Sequence, residues 1–354
     1  MKKILGLVLS VGLILGLILS CGFAYAADEE KMFTIVVVTD VGGLGDLSFN
    51  DAGWLGAQMA VEEIGVLKAR AKLIQSYEMA DYIPNLKKAA EEGNIVVLMG
   101  FLMIDALIEV APKFPNTPFV HVDGIEYKIP NIASFVYKSE EGAFLAGILA
   151  SAMSKTGVVG AVGGMAIPPV QVYEAGYVSG IKTGNKLFER DVKYISSYTG
   201  SFDDPAKGNA ATKSLIGMKA DVVFQIAGRT GLGVLKACQE EGVWGIGVDQ
   251  DQDWVYEGNV LTSVLKKLQN NIRDSAVDAY NSKFKGEYWI VGVAEGVIDL
   301  SDMNYTRDKI PTKVLEIITR AKDLLREKKF VVPATLEEAE KFILPGDLLS
   351  YLKG

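Results

Sequence analysis

The residues of this chain that could do chemistry lie in loops that follow its predicted strands. Asp40–Asp51 follows the first strand and places an aromatic residue, Phe49, beside an amide, Asn50, just before a helix. Tyr198–Asp204 again holds a phenylalanine in a polar turn, and Asp249–Asp253 ends a strand with three acids. In open parallel sheets, ligands bind beyond the carboxyl ends of the strands. These loops therefore contain the candidate binding residues.

Each candidate side chain also has a purely structural interpretation. Phe49 could be a core residue with Ser48 or Asn50 as the helix N-cap, and composition alone favours that interpretation. Asp105 could cap the helix that it begins or face the cleft. Asp249 could cap the turn that follows it. Alternatively, as the first residue after a strand, it could accept hydrogen bonds from sugar hydroxyls.

Three loops resemble known motifs without completing them. Gly43-Leu44-Gly45 resembles a dinucleotide-binding turn but lacks the third glycine. Ala227–Gly233 is glycine-rich backbone entering a helix, which suits anions, but no lysine completes a P-loop. Asp249–Asp253 has the alternating acids of a calcium loop without its glycine turn or terminal glutamate. We therefore predict no cofactor, no metal site and no catalytic residue.

Composition narrows the function further. One histidine, His121, and two cysteines, Cys21 and Cys238, leave little material for Ser-His-Asp catalysis, a zinc cage or a disulfide framework. The net charge of -8, without a long basic run, disfavours nucleic-acid binding. A length of 354 residues predicts two domains, at roughly 150 residues each.

The first 26 residues are typical of a secretory signal peptide. A basic start, Met1–Lys3, precedes the uncharged apolar run Ile4–Leu19, which is shorter than the roughly 20 residues that span a membrane. Ala24-Tyr25-Ala26 then provides a small-x-small cleavage site. The alternative is lipoprotein processing that lipidates Cys21 and anchors the chain. Both predict an exported protein, periplasmic or attached to the outer face of the cytoplasmic membrane.

Strands and helices alternate along the rest of the chain, which predicts an α/β fold. Most strand candidates are continuous apolar runs, as expected for parallel strands buried on both faces. The strand series restarts at Gly157 and gives two similar halves. The tail adds a helix at Asn270–Lys283, a short strand near Gly292–Val297 and a helix at Thr312–Lys328. The other predicted strands are Thr34–Thr39, Lys72–Gln75, Ile95–Met99, Phe119–Asp123, Ile132–Val136, Gly157–Val162, Val192–Tyr198, Asp221–Ile226, Trp244–Val248 and Val260–Ser263.

These loops and strands resemble the basic membrane protein family, the nucleoside-binding proteins of bacterial ABC transporters. Asp40–Asn50 matches the family pattern D-x-G-G-x-x-D-x-S-F-N, and Ile246–Gln250 is the other specific match. The resemblance implies a type I periplasmic binding protein fold, with two Rossmann-like lobes of parallel sheet and three interlobe crossings. We expect a signal peptide at 1–26, one lobe at 33–137 plus 264–286, and the other at 138–263 plus 287–345. Further matches are Phe144–Gly147, Val159–Gly164, Tyr198–Asp203, Ala227–Gly233 and Leu261–Lys266.

The resemblance implies a binding protein that is not an enzyme and that delivers a purine nucleoside to the permease of an ABC importer. Phe49 and Phe202 would sandwich the base, one from each lobe. Asn50 and Asp105 would hydrogen-bond the edge of the base.

The resemblance also assigns residues to the sugar. Asp249 and Lys266 would hold the ribose hydroxyls, helped by backbone around Gly228. Asp40 would brace the first loop.

Two residues depart from the family pattern. Leu47 stands where the family usually has lysine, and Arg229 stands where it commonly has glycine. Arg229 could narrow the cleft or recruit a more acidic ligand. A sugar or other small-metabolite receptor on the same scaffold is the alternative function. A secreted nucleoside hydrolase or phosphorylase is a further alternative, disfavoured because no water-activating metal cluster is evident.

Overall fold

Short β-branched runs form the strands of two sheets in the computed structural model, which describes residues 32–354. The predicted signal peptide, its cleavage site after Ala26 and the alternative anchor Cys21 lie outside these residues. The first half of the described chain contains β1 (Phe33–Val38), α1 (Phe49–Ile64), β2 (Ala69–Ile74), α2 (Tyr82–Glu92), β3 (Ile95–Met99), α3 (Ile104–Val110), β4 (Phe119–Val122) and β5 (Ile132–Tyr137).

The second half repeats this alternation before a helical tail. Its elements are α4 (Ser139–Met153), β6 (Val158–Gly163), α5 (Pro168–Phe188), β7 (Lys193–Tyr198), α6 (Pro205–Gly217), β8 (Val222–Ile226), α7 (Thr230–Glu241), β9 (Trp244–Asp249) and β10 (Val260–Lys266). The tail contains α8 (Leu268–Tyr280), β11 (Tyr288–Val291), β12 (Ile298–Leu300), α9 (Thr312–Arg326), α10 (Leu336–Lys341) and α11 (Gly346–Lys353).

Each sheet has six strands and its own topological switch. The first sheet has the order β11-β5-β4-β3-β1-β2 with every pair parallel. The second has the order β12-β10-β9-β8-β6-β7, in which only β12 runs antiparallel to its neighbour. The predicted fold class, two α/β lobes with parallel sheets, is confirmed.

The central strands are mostly apolar because helices cover both faces of each sheet. In β1, Ile35 and Val37 belong to one buried cluster and Val36 and Val38 to another. Successive side chains of a strand point to opposite faces, so this division places core on both sides of the sheet. All five residues of β3 and of β8 are buried.

The described chain crosses between the two sheets three times, and hydrogen bonds join the crossings. The first crossing follows β5, the second follows β10, and the third connects β11 to β12. Lys138 N donates to Val291 O at 2.8 Å, and Lys267 N donates to Val297 O at 2.8 Å. Val293 N donates to Glu141 Oε2 at 2.7 Å. These bonds couple the three connections about which the lobes can move.

The tail differs from the sequence-based expectation in two ways. The strand predicted near Gly292–Val297 is wrong, because this stretch is the turn between β11 and β12. The interlobe boundaries also shift. Residues 288–291, expected in the second lobe, pair with β5 of the first sheet, whereas 264–266 pair with β9 and β12 of the second. Whether a short edge segment forms a strand, and in which sheet, depends on the neighbouring strands more than on its own sequence pattern.

Two further observations bear on location and redox chemistry. No helix within residues 32–354 is long and apolar enough to cross a membrane. Cys238 is a buried free thiol, as expected, and burial raises its pKa to about 12. A protonated thiol of this kind is a packing residue rather than a nucleophile.

Candidate ligand-binding cleft

The carboxyl ends of strands from both sheets open onto one cavity between the lobes. It is lined by residues of both lobes, as expected for a small-molecule site, which is usually concave and often lies between domains. Seven of the eight predicted site residues line this cavity. They are Asp40, Phe49, Asn50, Phe202, Gly228, Asp249 and Lys266.

A buried carboxylate organises the loop that carries Phe49 and Asn50. Asp46 accepts hydrogen bonds from the backbone N–H groups of Ser48 (2.9 Å), Asn50 (2.8 Å) and Asp51 (3.1 Å). It therefore satisfies the open N–H groups at the start of α1. Ser48 occupies the N-cap position, but its side chain makes no capping hydrogen bond. Its hydroxyl donates to Asp249 instead, and the Asn50 amide donates to Asp40.

Asn50 and Asp40 form a side-by-side amide–carboxylate pair in the lining of the cavity. Asn50 Nδ2 donates to Asp40 Oδ1 at 2.9 Å and to Asp46 Oδ2 at 3.3 Å. Gly42 N also donates to Asp40 Oδ1, at 2.9 Å. Burial raises the pKa of Asp40 to about 6 and that of Asp46 to about 7, although these hydrogen bonds act in the opposite direction.

Two phenylalanines line the cavity from opposite lobes. Phe49 is the first residue of α1, and Phe202 lies in the loop between β7 and α6. Both are half-buried and pack against the core with one side. Gly164 provides the space behind one ring, because a Cβ at this position would collide with Phe202. At the other ring, a Cβ on Gly100 would lie 3.5 Å from Phe49 Cε1.

A buried cation links the two lobes in the lining of the cavity. Lys266, at the end of β10, is only 2 % exposed. Its Nζ lies 2.7 Å from Asp123 Oδ2 of the first lobe and 4.0 Å from Asp249 Oδ1 of the second. Burial raises the pKa of Asp123, and Lys266 partly offsets that effect. Aromatic rings also surround the ammonium, with centroids 5.0 Å (Phe49), 5.1 Å (Tyr137) and 5.5 Å (Tyr173) from Nζ.

Asp249 is held in the cleft by its backbone and by two hydroxyl groups. As the last residue of β9 it has φ +64°, a left-handed conformation that Asp tolerates better than most residues. Its carboxylate accepts hydrogen bonds from Ser48 Oγ at 2.6 Å and from the Tyr173 hydroxyl at 2.8 Å. Asp249 does not cap the turn that follows it. In that turn, the backbone N–H of Asp253 donates to Asp251 Oδ1 at 2.9 Å.

The loops at the mouth of the cleft also bind each other directly. Gln252 is fully buried and its Nε2 donates to Leu47 O at 3.0 Å. Its Oε1 accepts from Gln225 Nε2 at 2.7 Å and from Val248 N at 3.1 Å. The Gln252–Leu47 bond and the Ser48–Asp249 bond therefore join the two lobes across the cleft.

Two expectations about the site need correction. Asp105 does not line the cavity but is exposed in the first turn of α3. A 3-10 turn just before α3 presents Phe101 and Leu102 to the cavity instead. Arg229 neither narrows the cleft nor adds positive charge to it, because it pairs with Asp203 at 3.0 Å with both side chains about half exposed.

Sequence reasoning missed Asp123 and Tyr173, which also line the cavity. Asp123 directly follows β4, so the rule that identified Asp249, the first residue after a buried strand, applies to it equally. Tyr173 lies within α5 at a position that helical periodicity assigns to the core. Its role as a hydrogen-bond donor to Asp249 carries no signal in the sequence.

The acids of Asp249–Asp253, the loop that resembles a calcium site, form hydrogen bonds with different partners. Asp249 bonds within the cleft, whereas Asp253 accepts hydrogen bonds from Ser263 Oγ and Ser301 Oγ, both at 2.7 Å. In the part of the chain that the structure describes, no group of three or more His, Cys, Asp or Glu residues is arranged to hold a metal ion.

Comparison with known proteins agrees with this architecture. Residues 33–322 match the model of the Bmp family, described as ABC transporter substrate-binding protein, PnrA-like. The ABC transporter nucleoside-binding protein BmpA of Lactococcus lactis is 31% identical over 84% of this chain and 88% of its own length. An uncharacterized lipoprotein of Pyrococcus furiosus is 31% identical over 98% of this chain and 88% of its own.

A solved structure gives the same result at the level of the fold. The crystal structure of an ABC transporter solute-binding protein from Aeropyrum pernix matches with a TM-score of 0.81 and 26% identity, over 91% of this chain and 98% of that one. The chain therefore belongs to the Bmp family of ABC transporter substrate-binding proteins. Such a protein binds a small molecule outside the cytoplasm and passes it to a membrane permease.

Proposed function

We propose that this member of the Bmp family captures a purine nucleoside between its lobes and delivers it, chemically unchanged, to the permease of an ABC importer. The observation that carries the proposal is the pair Phe49 and Phe202, which line one cavity from opposite lobes. Stacking on an aromatic side chain contributes about 1–3 kcal/mol per base. A purine base offers two flat faces, so it can use both rings at once.

The polar groups of the cavity suit the two ends of a nucleoside. Asp40 and Asn50 form hydrogen bonds with the edge of the base. Asp249 accepts hydrogen bonds from ribose hydroxyls, and Lys266 donates to their oxygens, with Asp123 holding the ammonium in place. The backbone at Gly228, which adopts φ +55°, borders the same space. The Lactococcus lactis relative is named a nucleoside-binding protein, which supports this choice.

The charge of the lining favours a neutral ligand over a phosphorylated one. Three carboxylates, Asp40, Asp123 and Asp249, face the cavity against a single ammonium, Lys266, and Asp46 lies beside them with its pKa raised to about 7. A phosphate placed among them would bring like charges together in a site with little water. We therefore expect nucleosides to bind and nucleotides to be rejected.

Binding and delivery are coupled through lobe closure. A ligand that contacts Phe49 of one lobe and Phe202 and Asp249 of the other stabilises the closed arrangement relative to the open one. The Ser48–Asp249 and Leu47–Gln252 hydrogen bonds form in that arrangement. The permease can then distinguish loaded protein from empty protein by its shape.

Isothermal titration calorimetry with guanosine, inosine and adenosine tests the proposal, with ribose, guanine and guanosine 5′-monophosphate as controls. We expect at least one nucleoside to bind about 100-fold more tightly than any control, a difference of about 2.7 kcal/mol. Chromatography of the same mixtures should recover intact nucleoside, with and without added phosphate. Ribose binding as tightly as any nucleoside would establish a sugar receptor, and steady release of free base would establish a hydrolase or phosphorylase.

A further inference from the structure

The orientation of the Asn50 amide is fixed by its neighbours. Its Nδ2 faces carboxylate oxygens of both Asp40 and Asp46. An amide oxygen cannot replace Nδ2 there, because a carboxylate oxygen does not donate a hydrogen bond. The remaining polar atom, Asn50 Oδ1, is buried and has no hydrogen-bond partner among residues 32–354. This oxygen can therefore accept a hydrogen bond from a donor group of a ligand.

Asp40 offers a second acceptor beside the first. Its Oδ1 already accepts from Asn50 and Gly42, whereas its Oδ2 accepts no hydrogen bond from the described residues. A Cβ on Gly100 would lie 3.3 Å from Asp40 Oδ2 and 3.5 Å from Phe49 Cε1. The free carboxylate oxygen therefore lies near the edge of the ring on which the base is proposed to stack.

We propose that Asp40 Oδ2 and Asn50 Oδ1 act as a double acceptor that selects guanine-type bases over adenine. This inference rests on the proposed function. Guanine presents two neighbouring donors, N1–H and the 2-amino group, to such a pair, and hypoxanthine presents N1–H alone. Adenine places an acceptor, N1, at the corresponding position. A buried acceptor that faces another acceptor loses its hydrogen bond, and polar sites reject analogues strongly on that ground.

Calorimetry on the wild-type protein with a panel of nucleosides separates the contributions of the two donors. We expect guanosine to bind most tightly, inosine next, and adenosine about tenfold or more below guanosine. Methylation of N1 in 1-methylguanosine should weaken binding by a similar factor. 7-Deazaguanosine, which changes an edge remote from N1 and the 2-amino group, serves as the control and should bind like guanosine. Equal affinity for guanosine and adenosine, or for guanosine and 1-methylguanosine, would overturn the inference.

Asp40→Asn tests the same inference from the protein side. The amide oxygen of the substituted side chain can still accept from Asn50 and Gly42, while its NH₂ replaces the free acceptor by a donor. We expect the affinity for guanosine to fall about tenfold or more. The preference for guanosine over adenosine should shrink or reverse. Asp105→Asn, at an exposed acid outside the cavity, should leave the preference unchanged.

The outcomes distinguish this inference from the proposed function. If guanosine and adenosine bind equally, or if Asp40→Asn leaves their ratio unaltered, the double acceptor is wrong but a nucleoside receptor remains. If no nucleoside binds to the wild-type protein, both are wrong. A melting temperature of ligand-free Asp40→Asn close to that of the wild type would show that any loss of affinity arises in the site.

Discussion

At the scale of single residues, Phe49 and Phe202 carry the argument for a stacked base. We predict that Phe49→Ala and Phe202→Ala each weaken guanosine binding by about 1–3 kcal/mol in calorimetry. Both rings are only half-buried, so the loss of folding stability should stay below the roughly 3–5 kcal/mol of a full aromatic core truncation. Phe284→Ala, at another half-buried phenylalanine outside the cavity lining, is the matched control.

The contrast between affinity and stability decides the interpretation of each ring. If Phe49→Ala or Phe202→Ala destabilises the ligand-free protein like a core truncation and leaves affinity intact, that ring is a packing residue. If Phe284→Ala lowers affinity as much as either variant, the effect is not specific to the cavity.

The proposed function assigns sugar recognition to Asp249. We predict that Asp249→Asn weakens guanosine binding by about tenfold or more, about 1.4 kcal/mol, because the uncharged amide keeps only one acceptor oxygen and loses the charge-assisted hydrogen bond to a ribose hydroxyl. Asparagine suits the left-handed backbone at this position, which limits the structural cost. Calorimetry with guanosine and its 2′- and 3′-deoxy analogues forms a double-mutant-style cycle. Removal of the contacted hydroxyl should cost the wild type more than the variant, and equal costs would place Asp249 away from the sugar.

Sequence alone located most of the cleft, and its failures have physical causes. Asp249, predicted as the first residue after a buried strand, lies at the carboxyl end of β9, where the topology predicts, whereas Lys266 was assigned only by the family resemblance. Asp105 was misplaced: it is exposed in the first turn of α3, after a 3-10 turn that was not predicted. Tyr173 could not be identified as a cleft residue from the sequence, because cleft and core residues of a helix share the same periodicity.

At the scale of secondary-structure elements, the loop before α1 and the loop after β9 close the mouth of the cleft. Ser48 does not line the cavity, but its hydroxyl donates to Asp249 across the lobes. We predict that Ser48→Ala raises the dissociation rate of guanosine about threefold or more with little change in the association rate, since affinity changes in related complexes arise mostly in dissociation. Stopped-flow fluorescence measures both rates.

The control for this prediction is Ser214→Ala, at an exposed serine of α6. It should leave both rates unaltered. A Ser48→Ala protein with wild-type dissociation would mean that the hydroxyl does not contribute to closure. A change confined to association would point instead to a role in the open state.

The regular elements were predictable, including the tail helices α8 and α9, whereas the two short tail strands were not. The bounds of strands such as β3 and β9 agree with prediction to within one residue because their flanking turns are marked by Gly or Asp. β11 and β12 have four and three residues, too few for a periodic pattern. Each joins the edge of a different sheet, and that choice depends on tertiary pairing.

At the scale of the whole molecule, buried acids make stability depend on pH. Burial raises the pKa of Asp46 to about 7 and that of Glu140 to about 8. The folded state therefore binds these protons more tightly than the unfolded state, and stability falls as pH rises through the folded pKa values. His121 acts in the opposite direction, since burial lowers its pKa from 6.5 to about 4, but it is neutral in both states above about pH 7.

We accordingly predict that the melting temperature of the ligand-free protein falls between about pH 7 and pH 8.5. Glu140→Gln should flatten this dependence, because it removes the carboxyl with the highest of these pKa values. Differential scanning calorimetry across the pH range provides the measurement. Glu316→Gln, at an exposed glutamate of α9, is the control and should retain the wild-type slope. A melting temperature that rises over this range would contradict the account of the buried acids.

The most direct test of the central claim is a crystal structure of the protein grown with guanosine. The account predicts one nucleoside between the rings of Phe49 and Phe202, with its base edge on Asp40 and Asn50 and its ribose hydroxyls on Asp249. Lys266 should remain paired with Asp123 and within reach of the ribose. An empty cleft at saturating guanosine, or a base that lies away from both rings, would contradict the account.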